Sequence, residues 1–191
     1  MDRRDKELPL ASQQTTGLNQ LYETLQTLTG KGKSPRKLPP VDSWSPEHTA
    51  DIGLEIRKDG SWWHEGTRFS RQKLVDLFST ILRKDDDGST YLVTPYEKVI
   101  VHIEDAPFLG VRVDRAEEAG HPVIVVTTNL GESVEMDADH PLRVEIDPET
   151  LEPSPYVLVR GQLEAKLTRA AFYELVEMAE DDDDSEDDDD D

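Results

Sequence analysis

The chain of 191 residues contains 42 acidic and 21 basic residues, and its formal net charge at pH 7 is −21. This balance argues against broad contact with DNA or an anionic membrane, because both require a basic face. The sequence has no cysteine, which excludes disulfide bonds and thiolate chemistry and fits a reducing compartment. It also has no signal-peptide core and no long apolar run, so we expect a cytoplasmic protein.

Both ends of the chain are polar. Eleven of the last twelve residues are acidic, and without those eleven charges the net charge is still −10. A run of like charges repels itself and buries no apolar surface, so residues 181–191 are predicted to be a disordered acidic tail. This tail either keeps the protein soluble or shields a basic site. Residues 1–16 are also predicted to be disordered.

Residues 17–50 are predicted to contain one helix and a linker. Leucines at helical spacing indicate a helix from Leu18 to Thr29, with Gly30 as a stop. This helix either docks on the folded body, which we favour, or serves as an arm for a partner. The basic, Gly- and Pro-rich segment that follows is predicted to be an extended linker. A solvated linker or one that attracts the acidic tail is favoured over a phosphate-binding strap.

A second helix is predicted after a strand pair joined by Asp59-Gly60. Ser70 is its predicted N-cap, its apolar face extends to Leu82, and Arg83 and Lys84 are placed in its last turn. The rest of the chain is predicted to be rich in strands and to end in a helix that begins at Arg169 with Thr168 as its cap. The predicted strands are 91–94, 98–104, 122–128, 133–136, 142–146 and 156–160.

The starts of these two helices resemble each other. Residues 67–77 align without a gap on residues 165–175, and in both copies an Arg follows the capping hydroxyl. We interpret this match as an internal duplication that gives an α+β fold with two similar halves, 51–116 and 117–180. Each half is expected to be a small antiparallel sheet with one helix. A ligand pocket is expected between the halves.

A series of short phrases in a fixed order carries a family resemblance. The phrases are Pro40-Val41, Trp44, Asp51-Ile52, Asp59-Gly60-Ser61-Trp62, Ser70-Arg71, Leu74-Val75, Leu77-Phe78-Ser79, Asp85-Asp86-Asp87-Gly88, Tyr91-Leu92-Val93-Thr94-Pro95, Glu97-Lys98, Val101, Glu104-Asp105-Ala106-Pro107-Phe108, His140-Pro141-Leu142-Arg143 and Tyr156-Val157-Leu158-Val159-Arg160-Gly161. Together they resemble the bacterial family called domain of unknown function 1285, over residues 41–179. The resemblance implies a duplicated α+β core whose C-terminal half is similar to a pleckstrin-homology barrel. It also implies a nucleotide-like ligand between the halves and a role in signalling, but no activity.

The candidate ligand-binding residues are cations, aromatic side chains and a hydroxyl near the helix starts and strand ends. They are Trp62, His64, Arg68, Arg71, Thr94, Lys98, Arg160 and Arg169. Arg71 and Arg169 follow the predicted caps, where free N–H groups and the helix dipole favour an anion. Several candidates also have a structural interpretation: Arg71 can pair with Glu104 or Asp105, one of the two tryptophans is expected in the core, and Thr94 can mark a strand kink at Pro95.

The leading hypothesis is therefore a non-enzymatic module that binds a small anionic, nucleotide-like ligand and has a signalling or regulatory role. The first alternative is a protein–protein interaction module without a small ligand. The second is a metal-assisted phosphoester hydrolase that uses Glu97, Glu104 and Asp105. No phosphate-binding loop, nucleophile motif, EF-hand or metal-like histidine spacing occurs. The sequence identifies no catalytic residue and no cofactor.

Overall fold

The computed structural model describes residues 10–29 and 37–186, and it describes the side chains of residues 17–29 and 37–181. The basic linker residues 30–36, the N-terminal residues 1–9 and the last five acidic residues lie outside this description. Within it there are three α-helices: α1 (Leu10–Thr29), α2 (Gln72–Ser79) and α3 (Arg169–Glu186). A short 3₁₀ helix spans Val41–Ser43.

The described chain also forms twelve strands in two sheets of six strands each. The strands of the first sheet are β1 (His48–Ile56), β2 (Trp62–His64), β3 (Thr67–Arg68), β4 (Leu82–Lys84), β5 (Thr90–Val93) and β6 (Glu97–Ile103). Those of the second sheet are β7 (Phe108–Glu118), β8 (His121–Thr128), β9 (Ser133–Glu135), β10 (Leu142–Ile146), β11 (Pro153–Arg160) and β12 (Leu163–Leu167). The predicted α+β class with two halves is confirmed.

The first unit comprises the described residues up to Glu55 together with Trp62–His102. Its strands lie in the order β3-β2-β1-β6-β5-β4. Helix α1 docks in this unit, because Leu21 and Leu25 are completely buried and a Cβ on Gly17 would lie 3.4 Å from Ile52 of β1. The interpretation of this helix as a docked element is confirmed.

The second unit comprises Ile56–Ser61 and the described residues from Ile103 onward. Its strands lie in the order β10-β11-β12-β7-β8-β9, and β12 pairs with β7 in parallel. The sequence predicted an antiparallel sheet in each half, and this prediction is wrong for the β12–β7 pair. Gly110 of β7 lies opposite Leu167 of β12, and the absence of a side chain there allows Leu167 to fill the core.

The two sheets have the same strand order when each is numbered from its own first strand. The order is 3-2-1-6-5-4 in the first sheet and 4-5-6-1-2-3 in the second, which is the same order taken from the opposite edge. The helices, however, stand at different places. Helix α2 follows the third strand of its sheet, whereas α3 follows the sixth strand of its sheet. The sequence match between residues 67–77 and 165–175 thus pairs β3 with β12, which are not equivalent in strand order. The duplication and the pleckstrin-homology likeness remain predictions.

The second predicted helix is shorter than expected at both ends. Arg71, not Ser70, is the N-cap residue, and no side chain caps the helix. The helix ends at Ser79, because the hydroxyls of Ser79 and Thr80 donate to the carbonyls of Asp76 and Leu77 and compete with the helical backbone. Arg83 consequently lies in strand β4, which pairs with β5, and not in a helical last turn.

The predicted disorder and the predicted boundary between the halves also need correction. Residues 10–16 belong to α1, and α3 continues to Glu186 through acidic residues that were assigned to the tail. The expected boundary at 116–117 falls inside β7, and the two sheets divide between β6 and β7. By contrast, Thr168 does cap α3, since its Oγ1 accepts a hydrogen bond from the N–H of Ala171.

Candidate functional site

The N-terminus of α2 is an exposed and cationic part of the first unit. Arg71 has extended backbone angles and no side chain caps the helix, while the first N–H with a backbone acceptor is that of Leu74, which donates to the Arg71 carbonyl. The N–H groups of Gln72 and Lys73 have no acceptor among the described residues. Uncapped N–H groups and the helix dipole together favour an anion at this position.

Three basic side chains surround this helix start. Arg68, Arg71 and Lys73 are exposed, and none of them has an ion pair with a described residue. The first turn of α2 contains no acidic residue. This is unusual in an acidic chain, because the arginines at 83, 112, 143 and 160 each have a carboxylate oxygen within 3.2 Å.

The two tryptophans of β2 face opposite sides of the strand. Trp62 is only 2% exposed and its ring lies 6.5 Å from that of Phe69, so it belongs to the core. Trp63 is half-buried and lies directly opposite Arg68 in the hairpin of β2 and β3. Opposite residues of an antiparallel pair share a face, so Trp63 and Arg68 lie side by side.

Two buried ring nitrogens on the other face of β2 lack hydrogen-bond partners among the described residues. They are Nε1 of Trp62 and Nε2 of His64. The His64 nitrogen is 3.9 Å from the carboxylate of Glu65, which is beyond hydrogen-bonding range. An unsatisfied buried donor costs about 1–3 kcal/mol. Among the described residues, this face of β2 therefore carries both of the buried side-chain polar atoms that lack a partner.

Thr94 and Lys98 have structural roles. The buried Thr94 hydroxyl accepts from the N–H of Glu97 and donates to its carbonyl, which fixes the turn around Pro95. The ammonium of Lys98 is 3.1 Å from Asp85 and 4.2 Å from the ring centre of Tyr91. Both side chains were predicted from the sequence to contact a ligand, and the structure gives each of them partners within the protein.

Arg160 and Arg169 lie in the second unit and also have contacts there. Arg160 Nε donates to Glu132 at 3.2 Å and its guanidinium lies 5.5 Å from the ring centre of Phe108. Arg169 is the first residue of α3 and is exposed. Its guanidinium carbon lies 6.0 Å from the ring centre of Tyr173. Because Thr168 caps α3, this helix start differs from that of α2.

The two carboxylates that were considered as acid–base groups or as partners of Arg71 have defined contacts. Glu104 accepts the N–H of Lys58, and Asp105 accepts from Tyr156 Oη at 2.8 Å and from Lys166 Nζ at 2.7 Å. Burial acts to raise the pKa of Asp105, but these two hydrogen bonds outweigh it and hold the pKa below its ordinary value. Burial and the bond to Asp105 raise the pKa of Tyr156 to about 12.

Asp85 is the centre of a second network, in the first unit. It accepts from Arg83 and Lys98, and the same Arg83 donates to the carbonyls of Val41 and Trp44 at 2.7 Å each. Burial acts to raise the pKa of Asp85, but the bonds from Arg83 and Lys98 leave it lowered. This network holds the 3₁₀ segment on the edge of the sheet.

A cavity of about 400 Å³ lies at the end of α1 and was not predicted from the sequence. Its lining is mostly apolar and includes Leu28, Leu38, Pro39, Pro40 and Trp44. The proline-rich sequence indicated an irregular segment at this place but did not indicate a cavity. Among the described residues no group of His, Asp and Glu could hold a metal ion, and no described helix is long and apolar enough to cross a membrane.

Two family models match the chain in sequence. Residues 39–106 match the model described as domain of unknown function (DUF1285), N-terminal domain, and residues 107–189 match the one described as protein of unknown function (DUF1285), C-terminal domain. The chain belongs to the DUF1285 family. The resemblance inferred from the sequence phrases is confirmed, and the family division at 106–107 agrees with the division between β6 and β7.

Two crystal structures of DUF1285 proteins are similar to this chain. The protein from Silicibacter pomeroyi DSS-3 is 40% identical, with a TM-score of 0.69 over 79% of this chain and 81% of that one. The protein from Shewanella baltica OS155 is 32% identical, with a TM-score of 0.52 over 66% of this chain and 91% of that one. A search of curated proteins found no match.

Proposed function

We propose that this DUF1285 protein is a non-enzymatic module that binds a small anionic ligand at the N-terminus of α2. The observation that carries the proposal is the uncapped helix start with Arg68, Arg71 and Lys73 exposed and unpaired among the described residues. Two free N–H groups and the helix dipole can bind one anionic oxygen group, and the guanidinium groups can add charge-assisted hydrogen bonds.

The chemistry of the ligand follows from the groups around this helix start. Arginine forks bind phosphate and carboxylate groups in two-point contacts, so a phosphate or pyrophosphate group fits best. Trp63 lies beside Arg68, so an aromatic side chain stands next to the cationic groups. A phosphate joined to a flat ring is the chemistry of a nucleotide, and this is the ligand class that we propose. Binding without turnover fits a regulatory or signalling role, in which occupancy is reported to other proteins.

A thermal-shift panel tests the proposal. Inorganic phosphate, pyrophosphate, AMP, GMP and ATP would be titrated into the full chain, with adenosine as the uncharged comparison. We expect an upward shift of the melting temperature with a phosphate-containing compound, because a ligand that binds only the native state stabilises it. A flat response of the wild-type protein to every phosphate compound would overturn the proposal.

The variant Arg68→Ala/Arg71→Ala locates the response. Each lost charge-assisted hydrogen bond is worth roughly 1.5–3 kcal/mol, so the double variant should bind at least ten-fold more weakly. Arg169→Ala is a matched control at a helix start that Thr168 already caps, and Arg112→Ala controls for loss of an exposed arginine. Both controls should keep the full response. An equal response in the double variant would contradict the site.

A further inference from the structure

Strand β10 is an edge of the second sheet, and no described strand pairs with its outer side. It stands first in the strand order and its other side pairs with β11. All five residues are exposed, and three of them form what we call the apolar stripe: Leu142 (37% exposed), Val144 (42%) and Ile146 (56%). An edge strand of this kind is a template for pairing with another strand, and soluble proteins usually protect it with lysine, proline or a bulge.

The backbone groups of the apolar stripe point outward. Val144 and Ile146 lie opposite Pro155 and Pro153, which have no N–H to donate. The N–H of Leu158 donates to the carbonyl of Pro141, the residue just before β10. Hydrogen-bonded and non-hydrogen-bonded pairs alternate along an antiparallel ladder. The backbone groups of Arg143 and Glu145 are therefore the ones that form hydrogen bonds with β11. The N–H and C=O groups of Leu142, Val144 and Ile146 therefore face the free edge.

The sequence of β10 is complementary to itself. Two copies related by a two-fold axis must pair antiparallel, and outward-facing residues must pair with outward-facing residues. An axis at Arg143 would place two arginines opposite each other, and an axis at Glu145 would place two glutamates there. Only an axis at Val144 pairs Arg143 with Glu145 of the second copy, twice, and Leu142 with Ile146.

We infer that β10 is a homodimerisation edge, at which two copies of this chain pair antiparallel about Val144. Main-chain hydrogen bonds then join the two second sheets, the apolar stripes of both copies lie on one face, and the Arg143–Glu145 pairs lie on the other. Within one copy Arg143 already contacts Glu145 and Glu164. Dimerisation therefore exchanges a contact within the strand for the same contact between strands.

Cysteine crosslinking tests the register, because the natural chain contains no cysteine. Residues in a hydrogen-bonded antiparallel pair have Cα atoms about 5.5 Å apart, which suits a disulfide. Val144→Cys should thus form a covalent dimer on mild oxidation of the full-length protein. Leu142→Cys and Ile146→Cys should each crosslink poorly alone but crosslink to each other when mixed. Val111→Cys, on β7 and 44% exposed, is the control for random collision.

Charge exchange tests the pairing without a covalent bond. Arg143→Glu places Glu opposite Glu and Glu145→Arg places Arg opposite Arg, so each variant should sediment as a monomer. An equimolar mixture of the two restores both opposite-charge pairs and should form a mixed dimer. Circular dichroism of each variant alone provides the check that it is folded. If these side chains acted only in folding, mixing the two variants would not restore a dimer, and this result would contradict the inference.

The ionic-strength dependence gives a third outcome. Each chain has a net charge of −21, so two copies repel at long range. Raising NaCl from about 0.05 to 0.5 M screens this repulsion and should increase the dimer fraction in sedimentation equilibrium. The inference is overturned if the wild type stays monomeric at high salt, or if the Val144→Cys variant crosslinks no faster than the Val111→Cys control. It is also overturned if a monomeric Val144→Cys variant is protected from thiol reagents, which would show that another segment covers β10.

Discussion

The guanidinium of Arg83 and the carboxylate of Asp85 form a two-point ion pair, with Nε 2.6 Å from Oδ1 and a second nitrogen 3.2 Å from Oδ2. The remaining nitrogen of Arg83 donates to the carbonyls of Val41 and Trp44. One side chain thereby connects strand β4 at the edge of the first sheet with a segment far earlier in the chain, at separations of 42 and 39 residues. Lysine has the same charge but cannot reproduce this planar arrangement of donors.

Arg83→Lys should therefore destabilise the protein although it keeps the charge. We expect a loss of about 1–3 kcal/mol in the free energy of unfolding, because the half-buried carbonyls and Asp85 lose donors. Urea unfolding followed by tryptophan fluorescence measures this loss. Arg112→Lys is the control, since Arg112 forms an exposed pair with Asp114 and should change stability by less than about 0.5 kcal/mol. Equal effects of the two variants would contradict the anchoring role of Arg83.

Asp85→Asn should have a pH-dependent effect on stability. The pKa of Asp85 is lowered below its ordinary value of 3.8, so the native state binds fewer protons than the unfolded state in the window just below that value. The stability that the carboxylate contributes is present above about pH 4 and is lost as the pH falls through the folded-state pKa. The difference in unfolding free energy between wild type and variant, about 1–3 kcal/mol at pH 7, should shrink progressively as the pH falls below the ordinary pKa of 3.8 and through the folded-state pKa. A difference that stays constant over this whole range would contradict this assignment.

The sequence predicted best the elements whose determinants are local. The spacing of Leu21 and Leu25 located the docked face of α1, Thr168 was recognised as a cap, and the predicted strand 142–146 coincides with β10. A helix cap, an apolar helical face and the alternation of a strand can each be recognised from residues that are close together in the sequence. Ser70 failed as a cap because the same local pattern fits a position one residue before the true N-cap, Arg71.

Elements that depend on distant partners were missed or misassigned. Strand β7 carries Arg112, Asp114 and Arg115 and did not look like a strand, yet it pairs on both sides, with β8 and with β12. Arg83 and Lys84 were assigned to a helix because the pairing of β4 with β5 is not visible in local spacing.

The candidate site divides in the same way. Lys98 and Arg160 were proposed as ligand contacts, but Asp85 and Glu132, which pair with them, lie 13 and 28 residues away in sequence. Arg71 was chosen for its place at a helix start, a local property, and it lies at the start of α2 with its side chain exposed. The absence of a cap on α2, which leaves its N–H groups free, was beyond what the sequence pattern could indicate.

Gly110→Ala should destabilise the second unit. A Cβ at this position would lie 2.4 Å from Cδ2 of Leu167 and 3.1 Å from Cγ1 of Val126, and both neighbours are buried. Overpacking of a core typically costs about 1–3 kcal/mol. Leu167→Val shortens the side chain that the new methyl group would meet. The double variant Gly110→Ala/Leu167→Val should therefore lose less stability than the sum of the two single variants. Simple additivity in urea unfolding would show that Leu167 is not what the new methyl group meets.

Leu21→Ala should destabilise the first unit even though α1 was also considered as an arm for a partner. The Leu21 side chain is completely buried, and truncating a buried leucine costs about 2–5 kcal/mol through lost transfer energy and the cavity left behind. Leu28→Ala on the same helix is the matched control, because Leu28 is 39% exposed and should lose less than about 1 kcal/mol. Urea unfolding of both variants, with light scattering to confirm that their mass equals that of the wild type, separates docking from partner binding. If Leu21→Ala had the same unfolding free energy as the wild type but a lower mass by light scattering, α1 would instead contribute to assembly.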